Sequence, residues 1–214
     1  MKLYNLDHSP YATRVRMQIF KKDLPVAIEA PPAPARTPQF LARFPLGKIP
    51  VLELDDGSHL PDSWVIMEYL EDVMPAVPLR PEGAMANAQM QLLARYADTC
   101  LGPAALFPLF SRVQTPGGTN DAADALAPLD DELARLQRLL EMLPDFRQRS
   151  LHLGDIALAP HMDYVLLLAP MFGRAEPLGP YPLVARWWEW VTADAAVARG
   201  SEQMRTAVKG FFGG

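Results

Sequence analysis

Apolar and polar residues alternate over "KLYNL" (2–6), the period of a short strand with one covered face. The period then changes. Across 10–22, Ala12, Val15, Ile19 and Phe20 recur at helical spacing. "PVAIEA" (25–30) predicts a second strand, and "PPAPAR" (31–36) a stiff loop. Thr37-Pro38 pairs a cap with proline at the first helical position and starts a short helix that ends at "FPLGK". "IPVLEL" (49–54) predicts a third strand, "DDG" (55–57) a hairpin turn and "SHLP" (58–61) a fourth strand. Asp62 caps a helix whose apolar face carries Val65, Ile66, Tyr69 and Leu70. The first seventy-odd residues thus read β-α-β-α-β-β-α.

After that point only the helical period appears. "MPAVPLRPEG" (74–83) is proline-rich and has no periodicity, as suits an interdomain linker. Helices are predicted over 84–101, over 122–143 with Pro128 inside, over 154–169 and over 182–194. "RVQTPGGTND" (112–121) is the most loop-like stretch between them. The expected organisation is an α/β domain over 1–75, a linker over 76–86 and an all-helical domain over 87–214. No internal repeat or low-complexity tract interrupts it.

Composition narrows the function classes. Half of the 214 residues are hydrophobic, enough for a substantial core. No apolar run reaches a membrane span, since "DYVLLLAPMF" (163–172) is short and contains Pro170. "MKLYNLDHSP" lacks the apolar core of a signal peptide, so the expected location is the cytoplasm. A formal net charge of −5 with no basic run argues against nucleic acid as partner. One cysteine, Cys100, excludes an internal disulfide and any multi-cysteine metal site. His8, His59, His152 and His161 have no metal-ligand spacing, so no metal is expected.

The stretch "HSPYATRVRM" (8–17) carries candidate chemistry. Ser9-Pro10 is a strong helix start, and it places a hydroxyl at the positive end of a helix dipole. A thiolate is favoured over a thiol there, and a serine O–H can donate to it. With no cysteine in the segment, the thiolate must arrive with a ligand. Read alone, this is a weak signal, since most Ser-Pro pairs are plain caps. Ile49-Pro50 heads a strand, and a cis bond there would leave the Ile49 backbone free to pair with a peptide-like ligand. Asp62-Ser63 begins another helix, suited to an α-carboxylate and its neighbouring amine, or else serves only as cap and first turn.

These stretches together resemble the cytosolic glutathione transferases. "SPYATRVR" resembles the active-site loop of the serine- and cysteine-type classes, and "GKIPVLELDDGSHLPDSWVIMEYL" (47–70) the glutathione-binding core. "LGDIALAPHMDYVL" (153–166) resembles the buried helix start of the second domain. The resemblance runs over nearly the whole chain. It implies a thioredoxin-like N-terminal domain, an all-α C-terminal domain and a homodimer. It also implies glutathione as cosubstrate, its cysteinyl backbone on Ile49 beside Pro50, its γ-glutamyl end on Asp62 and Ser63, and Lys48 near its glycine carboxylate. Ser9 would sit at the sulfur, with Tyr4 and Tyr11 as alternatives. One departure falls three residues before Asp155, where relatives carry Ser or Thr and this chain has His152, a less simple cap.

The implied activity is a transferase that directs the glutathione thiolate at an apolar electrophile, detoxification being the expected role. Rival readings are a glutathione-dependent isomerase of the maleylacetoacetate type, whose Ser-Ser-Cys run is missing here, ether cleavage of lignin-type aromatics, and a non-catalytic binding protein of the same fold. With serine at position 9 the enzyme cannot form a mixed disulfide, which argues against a glutaredoxin-like role. Phe107 and Phe110 either line an apolar second-substrate pocket or pack in the core. Cys100 reads as a buried inert thiol. Of Arg14 and Arg16, one is expected to brace the domain interface and the other to be solvated. Trp187, Trp188 and Trp190 are spaced for two to face the core.

Overall fold

The computed structural model describes residues 1–212, in two compact units. The first holds Met1–Arg80 and the last helix; the second is Pro81–Asp194.

The first unit runs β1 (Lys2–Tyr4), α1 (Pro10–Lys22), β2 (Ala27–Glu29), α2 (Pro38–Arg43), β3 (Val51–Glu53), β4 (His59–Pro61) and α3 (Ser63–Val73). The strands form one mixed sheet in the order β2-β1-β3-β4, with β1 and β2 parallel and the other pairs antiparallel. Tyr4 pairs with Val51, and Leu3 with Leu52. Alternation along the strands therefore sends the two pairs to opposite faces. On one face Tyr4 and Val51 pack with Ala33, Phe40 and Phe44 of the α2 region. The other face buries Leu3 and Leu52.

Two features of this unit differ from the sequence expectation. The helix α9 (Ala195–Phe212) lies along α1, so the predicted helical domain over 87–214 loses its last element to the first unit. The close approach depends on Gly200, where a Cβ would lie 2.5 Å from Met17 Cγ. Second, the segment after α3 is held by a buried ion pair. Lys22 Nζ lies 3.0 Å from Glu71 Oε2 and also donates to the Val77 carbonyl, while Glu71 Oε1 accepts from the amides of Leu79 and Arg80. A charge pair this deep persists because each ion is hydrogen-bonded beyond its partner.

The second unit contains α4 (Ala84–Tyr96), α5 (Phe107–Val113), α6 (Ala122–Met142), α7 (Leu153–Leu168) and α8 (Pro182–Thr192). The helix predicted over 84–101 is α-helical only to Tyr96. A π-helical segment, Ala97–Leu106, then leads into α5. Pro103 within it has no N–H to donate, so the backbone cannot keep a regular α-helical ladder there. The core helix is α7, with Gly154 against the Met90 carbonyl of α4, where a Cβ would stand 2.2 Å away.

His152 does cap α7. Its Nδ1 accepts from the Asp155 amide at 3.2 Å, and Asp155 Oδ2 accepts from the His152 amide at 3.1 Å, a reciprocal capping box. Asp155 is fully buried and also accepts from Arg149 and from Trp187 Nε1. Burial alone would raise its pKa; Arg149 and His152 reverse that and hold the carboxyl far below the ordinary carboxylate range. Trp187 alone of the tryptophan cluster is fully buried, while Trp188 and Trp190 are half-buried. Cys100 is half-exposed rather than buried, since it lies in the π-helical turn beside Thr99.

Candidate functional site

Strand register brings three loops to one end of the sheet. Tyr4, the last residue of β1, pairs with Val51, the first of β3, and Val51 pairs with Pro61, the last of β4. The chain leaves β1 toward Ser9, enters β3 from Ile49-Pro50 and leaves β4 into Asp62-Ser63. Stretches some forty and fifty residues apart in sequence thus converge because the sheet is antiparallel at these two pairings.

Ser9 is the N-cap of α1. Its Oγ accepts from the Ala12 amide at 3.3 Å, and its carbonyl accepts from Thr13 N and Oγ1, each at 2.9 Å. The hydroxyl hydrogen has no acceptor among the described residues, so it can be donated to a ligand at the helix N-terminus. Neighbouring His8 has its pKa lowered by burial, against the opposing charge of Asp7. Its imidazole is therefore neutral at neutral pH and supplies no cation beside Ser9.

Tyr4 is nine-tenths or more buried, and its O–H donates to Glu53 Oε2 at 2.7 Å. Burial and that carboxylate both raise the phenol's pKa. Glu53 also accepts from Arg43 at 2.5 Å. Tyr11 is half-buried, and the Arg14 guanidinium lies 5.1 Å from its ring centre.

Ile49-Pro50 is cis. Ile49 packs partly against the Tyr4–Phe44 cluster, and its N–H and C=O make no backbone hydrogen bond among the described residues. Lys48 is exposed on the same loop. Asp62 caps α3 with φ +73°, a value that non-glycine residues seldom adopt and that clusters at functional sites. One of its carboxylate oxygens, Oδ1, accepts from the amides of Trp64 and Val65 at 2.9 and 3.1 Å; Oδ2 takes no part.

Sequence reasoning missed the group that joins these elements. Arg14 donates to Ser63 Oγ from Nε at 3.0 Å and from Nη2 at 2.6 Å, tying α1 to the N-terminus of α3. Ser63 is buried and keeps its own hydrogen for a further acceptor. Neither Arg14 nor Arg16 is solvated: they are 1% and 2% exposed. Arg16 points to Asp7, Thr13 and Gln203, all in the first unit. The only signal was the spacing of two arginines on one helix, which does not distinguish a buried face from a wet one.

Phe107 and Phe110 belong to the second unit. Phe107 is 41% exposed, and Phe110 is half-buried with its ring edge-to-face on Tyr164 at 5.8 Å. Among the described residues no group of three or more His, Cys, Asp or Glu could hold a metal.

Residues 8–73, the span holding Ser9, Ile49-Pro50 and Asp62-Ser63, match the model of the glutathione S-transferase N-terminal domain. A probable glutathione transferase omega-2 of Caenorhabditis briggsae is 24% identical over 220 residues, covering 99% of this chain and 84% of that protein. Maleylacetoacetate isomerase of Pseudomonas aeruginosa is 34% identical over 108 residues, 48% of this chain and 51% of its own. A crystal structure of a Methylobacillus flagellatus glutathione S-transferase with GSH bound superposes with a TM-score of 0.74 at 28% identity, covering 93% of this chain and 98% of that one. Fold, motif register and relatives over almost the full length agree: residues 8–73 belong to the glutathione S-transferase N-terminal domain family, and the whole chain is similar to the glutathione transferases.

Proposed function

We propose that the protein is a glutathione transferase in which Ser9 stabilises the thiolate of bound glutathione for attack on an apolar electrophile. The observation that carries this reading is the convergence of Ser9, Ile49 and Asp62-Ser63 at one end of the sheet, each with donor or acceptor capacity left over. The cysteinyl backbone pairs with the Ile49 amide and carbonyl. Asp62 Oδ2 receives the γ-glutamyl ammonium, and the Ser63 hydroxyl donates to its carboxylate. Lys48 stands for the glycine carboxylate. Ser9 is preferred to Tyr4 because the Tyr4 O–H is already donated to Glu53, and to Tyr11 because that ring lies against Arg14.

The chemistry then follows from position. The positive end of α1 and the Ser9 hydrogen bond favour the anion, so the thiol proton passes to water below its usual pKa. The sulfur lone pair forms the new S–C bond, and the electrophile releases its leaving group or takes up a proton. Catalysis is charge stabilisation plus proximity. Phe107 and Phe110 are the apolar side chains proposed for the electrophile. The same reading has the chain acting as a cytoplasmic homodimer, a state that sedimentation equilibrium measures directly.

The test is an ultraviolet titration of thiolate absorbance for bound glutathione in wild type and Ser9→Ala. A bound pKa well below that of free glutathione, mostly restored by the substitution, is the expected result. An unchanged shift in Ser9→Ala would move the role to another donor. No binding or no ionisation would leave a non-catalytic member of the family. A second reading, isomerase of the maleylacetoacetate type, is favoured by the identity to that enzyme over half its length. It uses the same thiolate, which adds to a conjugated double bond, permits rotation and leaves. Isomerisation without net consumption of glutathione distinguishes it.

A further inference from the structure

The first unit also has a cavity of about 520 Å³ between the β1–α1 loop, α1, the edge strand β2 and α9, and none of Ser9, Ile49, Asp62 or Ser63 lines it. Two opposite charges in it have no ionic partner among the described residues. Arg199, exposed on α9, lies flat over Phe20 with its guanidinium 3.8 Å from the ring centre. That stacking uses the face of the group and none of its N–H donors, and no carboxylate pairs with it among the described residues. Glu202, three residues on, accepts only a long 3.5 Å contact from Thr206.

The floor is fixed and polar. Arg16 is buried, with four of its N–H bonds directed to Asp7, Gln203 and Thr13, while its Nε has no acceptor. Gln203 presents its oxygen to Arg16, which turns its amide nitrogen the other way as a further donor. Asp7 is committed to Arg16 and Asn5. Ile28, 37% exposed, and Ala207 supply the apolar wall.

We propose that this cleft binds a free α-amino acid with an aromatic side chain. Its carboxylate pairs with Arg199 and the Gln203 amide, its ammonium with Glu202, and its ring lies against Ile28 and Ala207. Charge complementarity selects this class. The lining carries two arginines and two acids, so its net charge is zero and a zwitterion leaves it so. A phosphate or other polyanion would meet Glu202 unpaired. The volume suits a small molecule and not a chain segment. None of these residues is assigned to glutathione, so the inference does not depend on the transferase reading.

The probe is L-phenylalanine, titrated into full-length protein with labelled Ile and Ala methyls. The Ile28 and Ala207 methyls shift in a saturable way. Arg199→Ala and Glu202→Gln each weaken the titration by about tenfold, the size of one charge-assisted pair. 3-Phenylpropionate, which lacks the ammonium, and phenethylamine, which lacks the carboxylate, each bind about tenfold more weakly than the amino acid. Circular dichroism and Tm establish that both variants are folded; both side chains are exposed. Equal shifts from all three probes, retention of binding in both variants, or methyls that do not move would each overturn the proposal.

Discussion

Ser9 and Ser63 are both hydroxyls at helix starts, yet their surroundings differ. Ser9 is half-exposed and capped onto its own helix, whereas Ser63 is buried and accepts twice from Arg14. Their substitutions therefore fail in different ways. On the proposed function, Ser9→Ala acts on the bound thiolate. Ser63→Ala removes the buried oxygen that accepts twice from Arg14, a cost of about 2 kcal/mol. It also removes the donor proposed for the γ-glutamyl carboxylate. The expected outcome is a lower Tm together with a raised KM for glutathione and a largely retained kcat. A fall in kcat with KM unchanged would place Ser63 at the transition state instead of the binding step.

Legibility at the level of elements depended on what each element packs against. The β1–α1 and β4–α3 starts were readable because Ser-Pro and Asp-Ser announce themselves locally. The strands proved shorter than the alternating runs, since pairing with a neighbour, not alternation, sets their ends. The π-helical turn after α4 was not readable, because Pro103 announces a break and does not say which loose geometry absorbs it. For α7 the imidazole at the cap looked like a weak point and is a working one. The element tests this through Asp155, whose carboxylate joins Arg149, the His152 amide and Trp187. Asp155→Asn breaks a buried charge pair and costs about 3 kcal/mol. The sign of the pH effect follows from a folded pKa depressed below the unfolded value of roughly 3.9. The contribution is fully present above that value and is lost as pH falls toward the folded one. Thermal melts from pH 6 downward should show wild type losing more stability than the variant, so that the gap between them closes in acid.

The chain as a whole passes through its second unit and returns to the first, which hydrophobic pattern could not reveal. The face of α9 is Ala196, Val197, Gly200, Ser201, Met204 and Val208, a stripe of mostly small residues that marks a helix able to come close without naming what it meets. Its partner is α1, through the Gly200–Met17 approach and the Arg16–Gln203 hydrogen bond. Removing the chain after Asp194 would uncover Met17, strip Arg16 of an acceptor and leave α1 open where α9 packs on it. The loss belongs to the unit that carries Ser9, because α1 is the helix Ser9 caps. Amide hydrogen exchange on the shortened protein should therefore show protection across α1 reduced by more than about tenfold. Protection across α7, whose buried contacts lie within Pro81–Asp194, should be retained. Loss of protection in both helices at once would mean that the two units unfold as a single cooperative body. Loss in neither would mean that α9 adds nothing to the stability of the helix on which the candidate chemistry rests.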